Sequence, residues 1–127
     1  MKREITLDEL VRRDPRYSRE AYRFVSDALE HTVSKLSERR HVTGQELSQG
    51  IKDYALREFG PLAREVFRSW GVRSTADFGE IVYNLIEIGV MGKTDEDRRE
   101  DFHNVYDLNA AFEEGFNIRI SEDQLDL

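Results

Sequence analysis

The chain has 127 residues, of which 39% are hydrophobic and 35% charged, and it carries a net charge of −7 at pH 7. This length and composition predict one globular domain with its own hydrophobic core. Because there is no cysteine, disulfides, thiolate nucleophiles and cysteine-containing zinc sites are excluded. The lack of cysteine, of an apolar leader and of a long apolar run predicts a cytoplasmic protein that does not enter a membrane.

Charge is divided unevenly along the chain. Residues 1–73 carry a net charge of +3, whereas residues 74–127 carry −10. Affinity for phosphates depends on cations that displace condensed counterions, so the acidic half disfavours both nucleic acid and anionic membranes. We therefore predict that duplex DNA is not a partner.

Two helices are predicted in the first third of the chain. Thr6 with Glu9 three residues later has the pattern of a capping box, and it opens a short helix that stops before Pro15. From Tyr17 to Leu36, apolar residues recur at helical spacing, which predicts the longest helix of the chain.

Three further helices are predicted in the middle of the chain. A capping-box pattern that begins at Thr43 opens a helix over residues 43–59. Pro61 suits the first turn of the next helix, over residues 62–70. A last helix over residues 74–88 follows a short turn that contains glycine, so that these two helices have the helix-turn-helix pattern.

A β-hairpin is predicted after the last helix. Val90 and Met91 begin one short strand, and residues 105–108 form the other. The connecting residues 94–102 form either a solvated wing or one to two turns of capped helix. Together with the helix-turn-helix pattern, the hairpin predicts a winged-helix-like segment over residues 43–108.

The predicted fold is therefore mainly α, with about five helices and a small C-terminal β-hairpin. Residues 1–112 form a single helical domain, in which Asn109 caps a last helical turn, and residues 113–127 form an acidic C-terminal tail with a strand-like alternation at residues 117–120. One large residue on each apolar helix row is expected to be mostly buried. These core residues are Phe24, Leu47, Tyr54, Phe67, Trp70, Phe78 and Leu85.

Catalytic and cofactor motifs are weak in this sequence. Gly92-Lys93-Thr94 matches the end of a phosphate-binding loop, but Glu87 stands where that loop needs its first glycine, so a plain turn is predicted. An acidic run over residues 95–101 lacks the spacing of a calcium loop and is interpreted as a solvated face. We expect no cofactor and no metal.

The histidines give no stronger signal for catalysis. His31, His41 and His103 lack the spacing of metal ligands. A partly buried, hydrogen-bonded role is predicted for His31 rather than a catalytic one. An enzyme with an unrecognised carboxylate and histidine site, in which His41 works near Gln45 and Glu46, is the third hypothesis for function.

The candidate interaction surface is a basic patch near the N-terminus. Arginine and tyrosine often anchor protein interfaces, because they bury area while keeping a directed polar contact. A non-catalytic protein-interaction module, which binds a protein partner or a second copy of the chain, is therefore the first hypothesis. Binding of RNA or DNA through the same arginines is the second, and a solvated face is the alternative, because Asp14 and Glu20 lie within the patch. The candidate residues are Arg12, Arg16, Tyr17, Arg19, Tyr22 and Arg23.

Several motifs read together resemble one known family. They include Asp14-Pro15-Arg16-Tyr17, Arg40-His41-Val42-Thr43-Gly44-Gln45-Glu46-Leu47, Phe59-Gly60-Pro61, Trp70-Gly71-Val72, Asp77-Phe78-Gly79-Glu80-Ile81-Val82-Tyr83-Asn84-Leu85 and Gly92-Lys93-Thr94. Over roughly residues 5–112 the chain is similar to a small family of uncharacterised bacterial proteins that is largely restricted to planctomycetes and verrucomicrobia. The resemblance implies a bacterial cytoplasmic origin and supplies no catalytic residues.

Overall fold

The computed structural model describes residues 6–112, which are mainly helical. The α-helices of this part are α1 (Leu7–Arg13), α2 (Arg19–Ser34), α3 (Gly44–Phe59), α4 (Ala63–Ser69) and α5 (Thr75–Glu87). Two short 3-10 helices, Gly60–Leu62 and Arg99–Phe102, lie before α4 and after α5, and residues 108–112 are again helical. The acidic tail and the strand-like residues 117–120 lie outside the described residues.

The helices begin where local capping chemistry places them. The Thr6 hydroxyl accepts a hydrogen bond of 3.1 Å from the backbone N–H of Glu9 at the start of α1. At the start of α3, Thr43 and Glu46 form the full capping box, with hydrogen bonds of 3.1 and 2.9 Å. These bonds satisfy N–H groups that the first helical turn leaves without a partner. The predicted Thr6 cap of α1 and the predicted capping box of α3 are thus correctly located.

The hydrophobic core lies between α2, α3, α4 and α5. Five of the seven predicted core residues are buried, namely Phe24, Leu47, Phe67, Phe78 and Leu85. Tyr54 and Trp70 are only partly buried, because they lie at the edge of the core and pack their rings against Phe24, with centroid distances of 5.1 and 5.3 Å. These two residues cover the core from its rim.

Helices α2 and α3 approach each other closely at a glycine. A Cβ atom built on Gly50 would collide with the Thr32 side chain, whose hydroxyl donates to the Ala28 carbonyl. Glycine therefore permits this close crossing.

The predicted β-hairpin is not found, and the part of the chain at residues 6–112 contains no strand. Its first half is held at the end of α5 instead, where the N–H groups of Val90 and Met91 donate to the Leu85 carbonyl at 2.9 and 3.3 Å. Gly89 makes this helix end possible with a φ of 83°, in the left-handed region. Residues 90 and 91 therefore form a bend and have no strand partner.

The second half of the predicted hairpin starts a helix. The Asp107 carboxylate accepts from the N–H groups of Asn109 and Ala110 at 2.8 and 3.2 Å, so Asp107, and not Asn109, caps the last helical turn. Tyr106, the residue before Asp107, is held against the core by its hydroxyl, which donates to the Ser48 carbonyl on α3 at 2.7 Å. The segment at residues 43–108 consequently has helices in the predicted order but no β-wing.

Two other boundaries differ from the sequence predictions. Helix α2 starts at Arg19, so Tyr17 lies in the turn before it. Residues 94–102 contain the 3-10 helix Arg99–Phe102 after a turn, which is closer to the helical alternative than to an open wing.

Phe102 fastens this 3-10 helix to the body of the protein. Its buried ring lies between Gly44 at the start of α3 and Gly79 on α5, and a Cβ atom on either glycine would come within 3.0 Å of Phe102 atoms. Only hydrogen fits at both positions without a shift of the ring. The segment after α5 is thereby folded back across α3 and α5.

No helix in the described part of the chain is long and apolar enough to cross a membrane.

Candidate binding cavity

Four parts of the fold enclose a half-open cavity of about 240 Å³. They are α2, the start of α3 with the loop before it, α5, and the segment that Phe102 fastens in place. The wall of the cavity is apolar. Its apolar side chains include Leu29, Val33, Val42, Leu47, Val82 and Ile86.

The size and lining of the cavity suit an apolar group. A cavity of roughly 150 Å³ lined by aliphatic and aromatic side chains is large enough to bind benzene. This cavity is larger, and three of its apolar wall residues, Leu29, Val33 and Ile86, are partly exposed. A ring or a branched aliphatic side chain therefore fits within it.

A histidine and a carboxylate join the loop before α3 to the segment after α5. We call this charged edge of the cavity its mouth. His41 Nε2 lies 2.7 Å from Asp97 Oδ2, and the same oxygen accepts from the Thr94 N–H at 2.8 Å. His41 belongs to the loop before α3, whereas Asp97 belongs to the segment after α5. The pair closes one edge of the cavity.

A second pair fixes the loop before α3. The Arg40 guanidinium donates to both oxygens of Glu46 at 3.0 and 2.7 Å, and it also donates to the His41 carbonyl at 2.8 Å. The hydrogen bond from Arg40 is the main cause that lowers the pKa of Glu46 to about 2. Glu46 is therefore engaged by Arg40 and by the Thr43 N–H, whereas His41 contacts Asp97.

Two cations at the mouth are left without an ionic partner. Lys93 and Arg98 both line the cavity and are exposed, and neither side chain forms an ion pair with another residue of the described range 6–112. Asp101, which also lines the cavity, accepts from the backbone N–H of Arg98 at 3.0 Å and so stabilises the turn. The mouth thus presents two cations beside an apolar wall.

Tyr83 on α5 adds a polar atom to the lining. Its ring lies under the Arg99 guanidinium at 4.9 Å, and burial raises the pKa of its hydroxyl. The hydroxyl oxygen is shielded from solvent and has no hydrogen-bond partner within the described residues. A buried phenol without a partner is energetically unfavourable, which makes it a ready donor for a group that enters the cavity.

Two of the six residues of the basic patch predicted from the sequence are buried in the structure. Tyr17 and Tyr22 are 2% and 0% exposed, so they are core residues and not surface anchors. The Tyr17 hydroxyl donates to Asp77, and the Tyr22 hydroxyl accepts from the Asn84 amide at 3.1 Å. Burial is the main cause that raises the pKa of both phenols.

Arg16 is exposed but is held by two carboxylates beside these tyrosines. Its guanidinium donates to both oxygens of Asp14 at 2.8 and 2.7 Å and reaches Glu80 on α5 at 3.3 Å. Asp14 accepts in addition from the Asn84 amide at 2.8 Å. Arg16 holds the pKa of the Asp14 carboxyl well below its usual range.

The remaining arginines of the patch, Arg12, Arg19 and Arg23, are exposed on α1 and α2. Arg19 lies 3.5 Å from Asp8, with both side chains more than half exposed. The structure therefore separates the six candidate residues into two buried tyrosines and four exposed arginines, of which Arg16 is paired with Asp14 and Glu80.

The polar groups around the cavity are mostly engaged in holding turns. Asp97, Asp101 and Glu46 each accept from a backbone N–H, and residues 6–112 contain no cluster of three His, Asp or Glu side chains able to hold a metal ion. Comparisons of the chain with family models, curated proteins and solved structures find no match.

Proposed function

We propose that this chain is a non-catalytic protein-interaction module, and that its partner inserts an apolar side chain into the cavity between α2, α3 and α5. The supporting observation is the cavity of about 240 Å³. Its wall is apolar and includes the partly exposed side chains of Val33 and Ile86. Interface energy is concentrated where a bulky side chain fills a pocket and excludes water. A pocket with an apolar wall and a polar mouth has this form.

The chemistry at the mouth supports binding over catalysis. The Asp97 oxygen that contacts His41 also accepts from the Thr94 N–H, and the Thr43 hydroxyl accepts from the Glu46 N–H, so these groups hold the two loops in place. The chain has no cysteine to serve as a thiol nucleophile.

The test is a selection of random displayed peptides on three forms of the chain. Val33→Phe places a ring at the open side of the cavity, and Val11→Phe is the matched control, because Val11 is a partly buried helical valine that does not line the cavity. Wild type and Val11→Phe are expected to enrich the same peptides, each with a bulky apolar residue, and Val33→Phe is expected to lose them. Enrichment of the same peptides on all three proteins, or on none, contradicts the proposal.

We also propose a cytoplasmic location and membership of the small bacterial family named above. The first is supported by a sequence without cysteine, which suits a reducing compartment. The second is supported by the motifs that carry the resemblance.

A further inference from the structure

We infer that the partner segment is acidic: an Asp or Glu beside the inserted apolar residue is bound by Lys93 and Arg98. This inference rests on the proposed function, because it concerns the same cavity. It adds the charge of the partner to the apolar character that the wall requires.

The first argument is that these cations are available. Lys93 and Arg98 line the cavity, and neither forms an ion pair with another residue in the described part of the chain. Arg40, in contrast, is already engaged by both oxygens of Glu46. A carboxylate at the mouth therefore meets two cations that do not have to break an existing pair.

The second argument is the contrast between the mouth and the whole molecule. The chain carries a net charge of −7, whereas cations outnumber carboxylates around the cavity. Among the lining cations, Arg39 pairs with Glu30 and Arg40 with Glu46, so the attraction for an acidic partner rests on Lys93 and Arg98. The lining cations are Arg39, Arg40, Lys93 and Arg98, and the lining carboxylates are Asp97 and Asp101.

The chain itself contains a sequence of this kind. Residues 121–127 read Ser-Glu-Asp-Gln-Leu-Asp-Leu and combine three carboxylates with two leucines. A synthetic peptide of this sequence is therefore a suitable probe of stated composition. A second copy of the chain is one source from which such a segment is available.

The experiment measures fluorescence anisotropy of this labelled peptide with the full-length chain. The full-length chain in this experiment carries Leu125→Ser and Leu127→Ser, so that its own residues 121–127 do not compete with the peptide for the cavity. A second peptide, in which Gln replaces Glu and Asn replaces Asp, is matched in size and apolar content. We expect the acidic peptide to bind about tenfold more tightly than the neutral one, and the difference to shrink with added salt.

Two double variants locate the charge effect. Lys93→Ala with Arg98→Ala is expected to weaken binding of the acidic peptide about fivefold to tenfold and to leave the neutral peptide unchanged. Arg12→Ala with Arg13→Ala removes the same charge from α1, outside the cavity, and is expected to change neither. Circular dichroism verifies that each variant is folded.

The outcomes separate this inference from the proposed function. Equal affinity for the two peptides, both lost in Val33→Phe, overturns the acidic preference and leaves the cavity as the binding site. If the Arg12→Ala, Arg13→Ala variant loses binding of the acidic peptide and the Lys93→Ala, Arg98→Ala variant does not, the contact lies on α1 and the inference is overturned. Absence of saturable binding of the acidic peptide overturns it as well.

Discussion

His41 Nε2 lies 2.7 Å from Asp97 Oδ2, and this contact joins the loop before α3 to the segment after α5. The two residues are far apart in sequence, and each belongs to a stretch without a long helix of its own. This polar contact therefore joins the two loops at the edge of the cavity, in addition to the packing of Phe102 against Gly44.

Removal of Asp97 is expected to cost more stability than removal of His41. Asp97 is 17% exposed and also accepts from the Thr94 N–H, whereas His41 is 42% exposed. Asp97→Ala should lower the free energy of unfolding by about 0.5–1.5 kcal/mol, because it removes the hydrogen bond to the Thr94 N–H together with the contact to His41. His41→Ala should cost less than about 1 kcal/mol. Urea denaturation of both variants measures this order, and an equal or reversed order contradicts it.

The contact between Phe102 and Gly79 makes a double-mutant test possible. Alanine is favoured over glycine in a helix by about 1 kcal/mol. At Gly79, however, the new Cβ would lie 3.0 Å from the buried Phe102 ring, so Gly79→Ala is expected to destabilise the wild-type protein. In a Phe102→Ala background, the close Cγ and Cδ2 atoms are gone while the Cβ atom at 3.0 Å remains, so the same change is expected to destabilise the protein less.

The reference change in this cycle is large. Phe102→Ala alone should cost about 3–5 kcal/mol, as is usual for truncation of a buried phenylalanine. Thermal or urea unfolding of the four proteins gives the coupling between the two positions. If Gly79→Ala had the same sign and size in both backgrounds, Phe102 would not be seated against that glycine.

The sequence predictions were correct where residues close in the chain determine the structure, and less accurate where residues far apart in the chain determine it. Thr6 and Thr43 are correctly predicted as caps, because a capping box is made by residues three positions apart. The predicted helix over residues 74–88 matches α5 for the same local reason. Sequence alone was sufficient wherever neighbouring residues satisfy the backbone.

The hairpin was wrongly predicted, because short apolar runs do not distinguish a strand from a buried helical turn. Val90 is held by a helix-end hydrogen bond to Leu85, and Leu108 is buried at the start of the last helical turn. Tyr17 and Tyr22 were misplaced for a different reason, since their polar partners lie on α5, 60 and 62 residues away. The cavity was missed because it forms only when four separate segments meet.

The Asp14 carboxylate should make stability depend on acid pH. Its folded-state pKa lies below its usual range because of Arg16, so the stabilisation it provides is present above the unfolded pKa and is lost as pH falls through the folded one. Asp14→Asn should cost about 1–3 kcal/mol near neutral pH. The difference from wild type should shrink below roughly pH 4, and urea denaturation at several pH values measures it. A difference that stays constant down to low pH contradicts the assignment.

The exposed arginines of α1 and α2 are not expected to bind duplex DNA. The tyrosines that interleave with them are buried and offer no stacking surface, and the chain as a whole is acidic. Anisotropy with a labelled duplex at physiological salt should show no binding in the range of about 10⁻⁴ to 10⁻⁶ M that is typical of non-specific binders. Micromolar binding that disappears in an Arg12→Glu, Arg19→Glu, Arg23→Glu variant would make this face a nucleic-acid surface.

The most direct test of the cavity as the binding site is nuclear magnetic resonance of the isotope-labelled full-length Leu125→Ser, Leu127→Ser chain, titrated with the peptide of residues 121–127. Saturable shifts of backbone signals are expected at Val33, Tyr83 and Ile86, which line the cavity, and at Lys93 and Arg98 at its mouth. The same titration of Val33→Phe in this background should show none of these shifts. Shifts confined to the exposed arginine face of α1 and α2, or no saturable shifts at all, would contradict the account.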